Sequence, residues 1–460
     1  MFRTKAGLAL VLLTVLAGAL LVAFEVRAAG GGEVPSPVDH AALGHDDESD
    51  RDRAPHERFL YVATIAQSAT DPDFVAVIGA DPRRRDYREI VNRVDMPNVG
   101  DELHHFGYSV DQRRLIVPGL FSNRIHVFGI RGNGRRMDLR AVNEDLVAES
   151  GYIVPHGVMA MHGKLFAPMI GAATDTTRPG GIVELNDRTG EFEAYFGPGP
   201  EREPGVLGPK YMYDFAMPHS GDRPVGNRAI STTFGPPALC GGGIDPTCLG
   251  NEVAVWNFRR QKVIQTADLG ANTGAIEVRF ISERGVRRAF INTPGTNAVW
   301  LADDDDRDGV YEFQQVLDGL ELPADMLLSY DNRFLYLTNW FGNTVQQYDI
   351  EDPFNPVLRG TWSVPHPNML RLSRDNRRLY VSNSLITTWD NDLDFGPPRN
   401  NDYGIWLFRV NRGSGALTPS SPDRRAWVSF TNVEKRNTTG PAGPHMMLFD
   451  PSIPLEPGEH

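Results

Sequence analysis

Three stretches of the chain superimpose: Asp111-Gln112-Arg113-Arg114-Leu115-Ile116-Val117, Asp331-Asn332-Arg333-Phe334-Leu335-Tyr336-Leu337 and Asp375-Asn376-Arg377-Arg378-Leu379-Tyr380-Val381. Each reads as a turn followed by a short strand rich in β-branched and aromatic residues. A second signal recurs further on. Asn123, Asn297 and Asn343 each lie ten positions after an arginine (Arg113, Arg287, Arg333), and each precedes another such run: Ile125–Phe128, Ala298–Leu301 and Val345–Tyr348. Asp331 and Asp375 are 44 positions apart, and Asp111 and Asp331 are 220 apart, five times that period. Strand-built repeats of this length are the mark of propeller blades, whose sheets bury their faces only against neighbouring blades. Weaker copies begin near Phe59, Lys164 and Arg228, which brings the count to seven. The expected fold class is therefore all-β, a seven-bladed β-propeller. Six or eight blades are the alternatives, because the copies between residues 200 and 260 are diffuse. The 46 Gly and 34 Pro among 460 residues agree, since so many breakers would cut the helices of a bundle short.

Ahead of the repeats the chain changes character. Arg3 and Lys5 precede an uncharged run from Ala6 to Phe24, followed by Val26-Arg27-Ala28, a small-residue cleavage pattern. Residues 1–28 are expected to be an export signal; a membrane anchor formed by residues 6–24 is the alternative, the run being near the short limit for a span. Either reading puts the folded part outside the cytoplasm, periplasmic or secreted, with no stable membrane insertion if the signal is cleaved. Residues 29–57 are Gly, Pro, Asp, Glu and His with almost nothing bulky to bury, and are expected to form a disordered tether. Residues 58–460 are then a single propeller domain.

Two cysteines exclude a Cys-built metal site. In an oxidising compartment Cys240 and Cys248 form a disulfide around Gly241-Gly242-Gly243, with a soft metal pair as the weaker alternative. A formal charge of -13 without a run of Arg or Lys argues against a nucleic-acid partner. There is no G-x-S-x-G, H-E-x-x-H, phosphate-binding loop or dinucleotide fingerprint, so hydrolase and nicotinamide chemistry lack support.

Candidate ligands are few. His104 and His105 are adjacent, and in a regular strand they would point to opposite faces; both can face one metal only at a turn or bulge, which Gly100 and Gly107 permit. His156 and His445 each sit beside Pro and Gly. In a propeller, loops from distant blades converge on the central channel, so these imidazoles either meet at copper, zinc or iron or remain scattered structural residues. Met159, Met161, Met446 and Met447 are close in sequence, as thioether ligands or as core packing. Asp304, Asp306 and Asp308 open like a calcium loop, but Gln315 stands where a bidentate Glu would complete it; a calcium staple and a solvated acidic turn both fit, and either is structural.

Taken together, several stretches resemble the selenium-binding protein family, whose bacterial members include methanethiol oxidases. They are Met96-Pro97-Asn98-Val99-Gly100-Asp101-Glu102-Leu103-His104-His105, Tyr213-Asp214-Phe215, Ile276-Glu277-Val278-Arg279-Phe280, Asp325-Met326-Leu327-Leu328-Ser329 running on to Trp340, Gln347-Tyr348-Asp349-Ile350, Arg377–Ser384 with Trp389-Asp390, and Gly440-Pro441-Ala442 leading to His445. The resemblance runs in order from about residue 58 to 450 and implies a seven-bladed propeller. It implies a copper site with His104, His105, His156 and His445 as ligands, and Asp101 or Glu102 orienting an imidazole through its second nitrogen. The reaction it implies takes a small thiol and dioxygen: methanethiol, O2 and water become formaldehyde, hydrogen sulfide and hydrogen peroxide. The family's selenium-carrying Cys pair has no counterpart, for Gly107-Tyr108-Ser109-Val110-Asp111 runs straight into the next strand. The expected function is thus an exported copper-dependent thiol oxidase. The alternative is a non-catalytic extracytoplasmic propeller that binds a metal, a selenium or sulfur compound, or a partner protein.

Overall fold

The computed structural model describes residues 57–202, 206–220, 223–224, 226–240, 248–283, 285–391, 402–420, 425–433 and 441–451. The expected signal (1–28) and all of the expected tether except Glu57 lie outside these residues. Glu57 itself is 1 % exposed and accepts a hydrogen bond from Arg378 Nη2 at 2.8 Å, so it belongs to the packed body. Among the described residues no helix exceeds five residues, and none is long and apolar enough to cross a membrane.

Seven antiparallel sheets, each built on four strands, follow one another along the chain as the blades of a propeller. Their first strands are Ala442–Phe449 (blade 1), Gly107–Tyr108 (blade 2), Tyr152–Pro155 (blade 3), Met212–Ala216 (blade 4), Val278–Phe280 (blade 5), Pro323–Leu328 (blade 6) and Leu370–Leu372 (blade 7). These first strands contact those of neighbouring blades and are mostly buried, whereas the fourth strands, such as Val357–Ser363, face water. The ring is closed by pairing Ala442–Phe449 with Phe59–Ala66, so that the two ends of the chain share blade 1. Closure leaves only short, protected sheet edges on the channel side and fixes the strand Ala442–Phe449 in the wall.

The repeated residues have repeated tasks. Ser109, Ser329 and Ser373 donate from Oγ to Asp111, Asp331 and Asp375 at 2.7, 2.6 and 2.5 Å. Each of these aspartates also accepts the backbone N–H of the arginine two positions on, which closes the turn between first and second strands. The residue between, Gln112, Asn332 or Asn376, is left-handed at φ 55 to 56°. Asn332 and Asn376 then reach back to the preceding blade, accepting N–H from Ser282 and Tyr330 at 3.1 Å each.

The second repeated asparagine reaches forward. Asn123, Asn297 and Asn343 are left-handed, and their Oδ1 atoms accept the N–H of Val154, Leu322 and His366 in the following blade at 2.5, 2.8 and 2.8 Å. These three acceptors' partners are themselves left-handed, at φ 62, 57 and 41°. For the β-branched Val154 that conformation is strained, and it persists because the asparagine holds the N–H.

The first strands carry one further regularity. In five of the seven blades they hold one residue more than the strand they pair with. Thr232 faces both Tyr213 and Asp214, and Thr338 faces both Ala324 and Asp325. An extra residue turns the local side chains out of strict alternation.

Asn123→Ala tests the forward staple. It leaves the Val154 N–H without its acceptor and puts a Cβ-bearing residue without a polar side chain in a left-handed conformation, which together cost about 1–3 kcal/mol. Asn123→Gly, which tolerates the backbone but still lacks the acceptor, should lose less. Urea midpoints at constant m-value measure both.

Candidate metal centre

The two adjacent histidines lie in a break of blade 2. Leu103 pairs with Gly119 and Gly107 with Ile116, so that two residues, Val117 and Pro118, face three: His104, His105 and Phe106. His156 occupies the same break in blade 3, where Ala167 and Pro168 face His156, Gly157 and Val158. In blade 1 Ala63 alone faces His445 and Met446. All four imidazoles therefore come from the irregular points of channel-lining strands. Gly107 makes the packing of blade 2 on blade 3 possible, for a Cβ there would lie 2.2 Å from the Val158 carbonyl oxygen.

The four rings meet. Centroids of His104 and His445 are 4.0 Å apart, of His105 and His156 4.3 Å, of His104 and His156 4.7 Å, of His104 and His105 4.8 Å, and of His105 and His445 5.3 Å. One nitrogen from each of His104, His105 and His156 falls within 4.8 Å of the others, and His445 stacks on this trio through His104. His104 Nδ1, His156 Nε2 and His445 Nε2 are buried and have no hydrogen-bond partner. The opposite nitrogens of the last two are held: His156 Nδ1 donates to Tyr213 O at 2.9 Å and His445 Nδ1 to Ser384 O at 2.8 Å. Asn368 Nδ2 lies 2.9 Å from His445 Nδ1, but it also donates to Ser384 O at 2.6 Å. A carbonyl only accepts, so the His445 proton belongs on Nδ1 and its Nε2 lone pair is free.

Burial, with mutual repulsion between neighbouring imidazoles, holds the pKa values of His104, His105 and His156 well below the ordinary histidine value. Burial lowers that of His445 to about 4. Neutral imidazoles, two of them with fixed tautomers and unpartnered buried Nε2 lone pairs, are donors waiting for an acceptor that is not a proton. The set fits a borderline or soft transition-metal ion.

Asp101 and Glu102, expected to orient an imidazole of the quartet, make their hydrogen bonds elsewhere. Asp101 accepts from Ser122 Oγ at 2.6 Å and Arg124 Nη1 at 3.0 Å, and its other oxygen lies 3.6 Å from Nε2 of a different buried histidine, His126. Glu102, left-handed at φ 54°, accepts both the N–H and the hydroxyl of Thr387. Its backbone turn carries the carboxylate towards blade 7. The nearest carboxylate to the quartet is Glu277, whose Oε1 is 3.9 Å from His105 Nδ1 and is otherwise unpartnered. Glu277 Oε2 accepts from Arg279 at 2.7 Å, and the same guanidinium bonds Asp214 at 2.9 Å and Asp325 at 3.1 Å. Asp214 and Asp325 sit at the bulges of blades 4 and 6, so one side of the channel presents imidazoles and the other carboxylates around a single arginine.

The remaining candidates are placed as follows. Met446 Sδ accepts the Phe106 N–H at 3.1 Å, and Met159, Met161 and Met447 pack in apolar clusters. Asp304, Asp306 and Asp308 bring carboxylate oxygens within 4.8 Å of one another, but they accept the N–H groups of Gly309, Asp308 and Val310 and, through Asp304, Arg287. Cys240 and Cys248 are joined as a disulfide with Cα atoms 5.6 Å apart. That disulfide lines a cavity of about 580 Å³ which has His104, His156 and Tyr213 in its wall. A smaller space of about 110 Å³, lined by His105, Glu277, Arg279 and Met446, lies against the same histidines.

A histidine held neutral in the fold, with its pKa lowered to about 4 from 6.5, contributes stability that is full above pH 6.5 and lost as pH falls towards 4. Buried carboxylates with raised pKa values, such as Asp73 and Glu102, act in the opposite sense, so the contribution is read as a difference. In chelator-treated protein, wild type should lose stability relative to His445→Gln by up to about 1.4 kcal/mol per pH unit below 6.5. Parallel chemical unfolding of the two between pH 7 and 5 measures it.

Comparison with known proteins places this architecture. A family model described as 56 kDa selenium binding protein (SBP56) matches residues 45–450. A protein of Danio rerio named methanethiol oxidase is 30% identical over 432 residues, covering 81% of this chain and 90% of its own length. Selenium-binding protein 1 of Arabidopsis thaliana is 27% identical over 403 residues, 73% of this chain and 80% of that one. The crystal structure of a hypothetical selenium-binding protein from Sulfolobus tokodaii superimposes with a TM-score of 0.70 at 26% identity, over 86% of this chain and 94% of that one. By the span of these matches across the whole propeller, the chain belongs to the selenium-binding protein (SBP56) family.

Proposed function

We propose that this protein is an exported copper-dependent thiol oxidase, which converts methanethiol or a related thiol, O2 and water into an aldehyde, hydrogen sulfide and hydrogen peroxide. The observation that carries the reading is the quartet of neutral imidazoles, three of them buried with an unpartnered nitrogen, beside an apolar cavity. The methanethiol oxidases among its relatives support the thiol as substrate.

His104, His105, His156 and His445 would hold the copper, which supplies a soft acceptor for thiolate sulfur and a redox couple with dioxygen. The chain's own residues do the rest. Tyr213 O and Ser384 O fix the tautomers of His156 and His445, so both keep Nε2 free without reorganising. Asn368, bonded to Ser384 O, holds that carbonyl in place. The wall of Ile153, Ile170, Phe234 and Ile276 presents an apolar surface beside the imidazoles and would receive the apolar part of a thiol. Arg279 holds the carboxylates of Asp214, Glu277 and Asp325 together beside the site.

Purified protein should retain copper on dialysis and consume O2 with methanethiol, releasing sulfide and peroxide. His104→Ala and His445→Ala should each lower bound copper and cut oxygen uptake at least about 100-fold, the usual scale for loss of a positioned reacting group. A wild-type protein that takes up no copper defeats the reading. Copper retention without oxygen uptake would leave the binding role suggested by relatives named selenium-binding proteins.

A further inference from the structure

Methanethiol presents one methyl group, yet the space beside the histidines is about 580 Å³, the size of pocket that takes a drug-sized ligand. Its composition is more informative than its size. Among the described residues that line it there is no Asp, Glu, Lys or Arg. Phe121, Ile153, Ile170, Phe234, Ile276 and Trp389 supply most of the wall, and Cys240 and Cys248 enter it as a disulfide, without a thiol of their own. His104, His156 and Tyr213 are its polar members nearest the metal site. The charged groups of the channel, Glu277, Arg279 and Asp214, line the other, smaller space instead.

A site divided in this way selects by charge as well as by size. A zwitterionic or anionic thiol entering the larger cavity would surrender part of its hydration with no ion among the described lining residues to meet it, which weakens its binding. An uncharged thiol gains about fourfold in affinity for each methylene it buries. We infer that the preferred substrate is an uncharged thiol with an apolar group larger than methyl, such as an alkanethiol or an arylmethanethiol, bound with its carbon skeleton in this cavity and its sulfur at the histidines. The inference rests on the oxidase reading for turnover but not for binding. The reaction keeps its balance for any such R: R–CH2–SH, O2 and water give R–CHO, hydrogen sulfide and hydrogen peroxide. The C–S bond breaks, the carbon is oxidised by two electrons, and O2 is reduced by the same two. 2-Methylpropane-2-thiol stays uncharged at neutral pH and has no hydrogen on the carbon bearing sulfur, so it should occupy the cavity without being consumed and act as a competitive inhibitor.

The test uses the whole chain, with and without copper. Calorimetric titration of metal-free protein with methanethiol, ethanethiol, propanethiol, butanethiol and phenylmethanethiol should show affinity rising about fourfold per methylene. Mercaptoethanesulfonate, a charged thiol, should bind no better than methanethiol. Ile170→Trp, which fills the cavity, should remove at least tenfold of the gain for phenylmethanethiol. Ile153→Arg, at a half-buried position where the new charge reaches water, serves as a second variant should the first fail to fold. A flat series, or a charged thiol binding as tightly as butanethiol, overturns the inference. If the affinity series holds but no thiol drives oxygen uptake, the cavity assignment stands and the oxidase reading falls. Oxygen uptake with methanethiol alongside a flat series gives the reverse.

Discussion

A strand lining a propeller channel can send only alternate side chains inward, so two neighbours cannot both reach the axis. The site exists because the first strands of these blades break that rule by one residue. The extra residue in blade 2 lets His104 and His105 share one side, and those in blades 3 and 1 turn His156 and His445 towards them. The same irregularity in blades 4 and 6 places Asp214 and Asp325 opposite. A bulge costs ladder hydrogen bonds, and here the freed groups are recovered locally: His104 N–H reaches Pro118 O, and His156 N–H reaches Pro168 O.

The bulges are useful only because the ring is closed and rigid. His445 comes from the last strand, which becomes part of blade 1 by pairing with Phe59–Ala66; its imidazole reaches the others because that pairing sets its register. The forward asparagines fix one blade against the next at the level of the channel, and Asn123 does so two residues from His156. Positioning of the candidate ligands is thereby tied to the general blade-to-blade staple rather than to a loop special to the site. Uncharged imidazoles removed from water are costly where their nitrogens go unpaired, and the fold offsets this for His156 and His445 with carbonyl acceptors at Nδ1.

Much of this was legible in the residues. The Asp and Asn spacing exposed the blade period because both residues serve backbone turns, which depend on local geometry and recur wherever the turn recurs. The four histidines stood out because they neighbour glycine and proline, where strands break. The partners of those histidines did not stand out. Asp101 and Glu102 lie three and two positions before His104 in sequence, yet the left-handed turn at Glu102 directs its carboxylate to Thr387 of another blade. Glu277, Asp214 and Asp325 lie in stretches that carried the family resemblance, but nothing local indicates that one arginine gathers all three.

The sequence by itself determined the class of fold and pointed to seven blades, because these depend on periodicity, while the four histidines were gathered as one ligand set by the family resemblance. The tertiary structure decided which carbonyls fix His156 and His445, which acids face the channel, and that two cavities adjoin the histidines, one with no charged side chain among its described lining residues and one lined by Glu277, Arg279 and Asp214. Those facts depend on contacts between blades far apart in sequence, and the registers that create them are set by single extra residues whose effect shows only when the ring has closed.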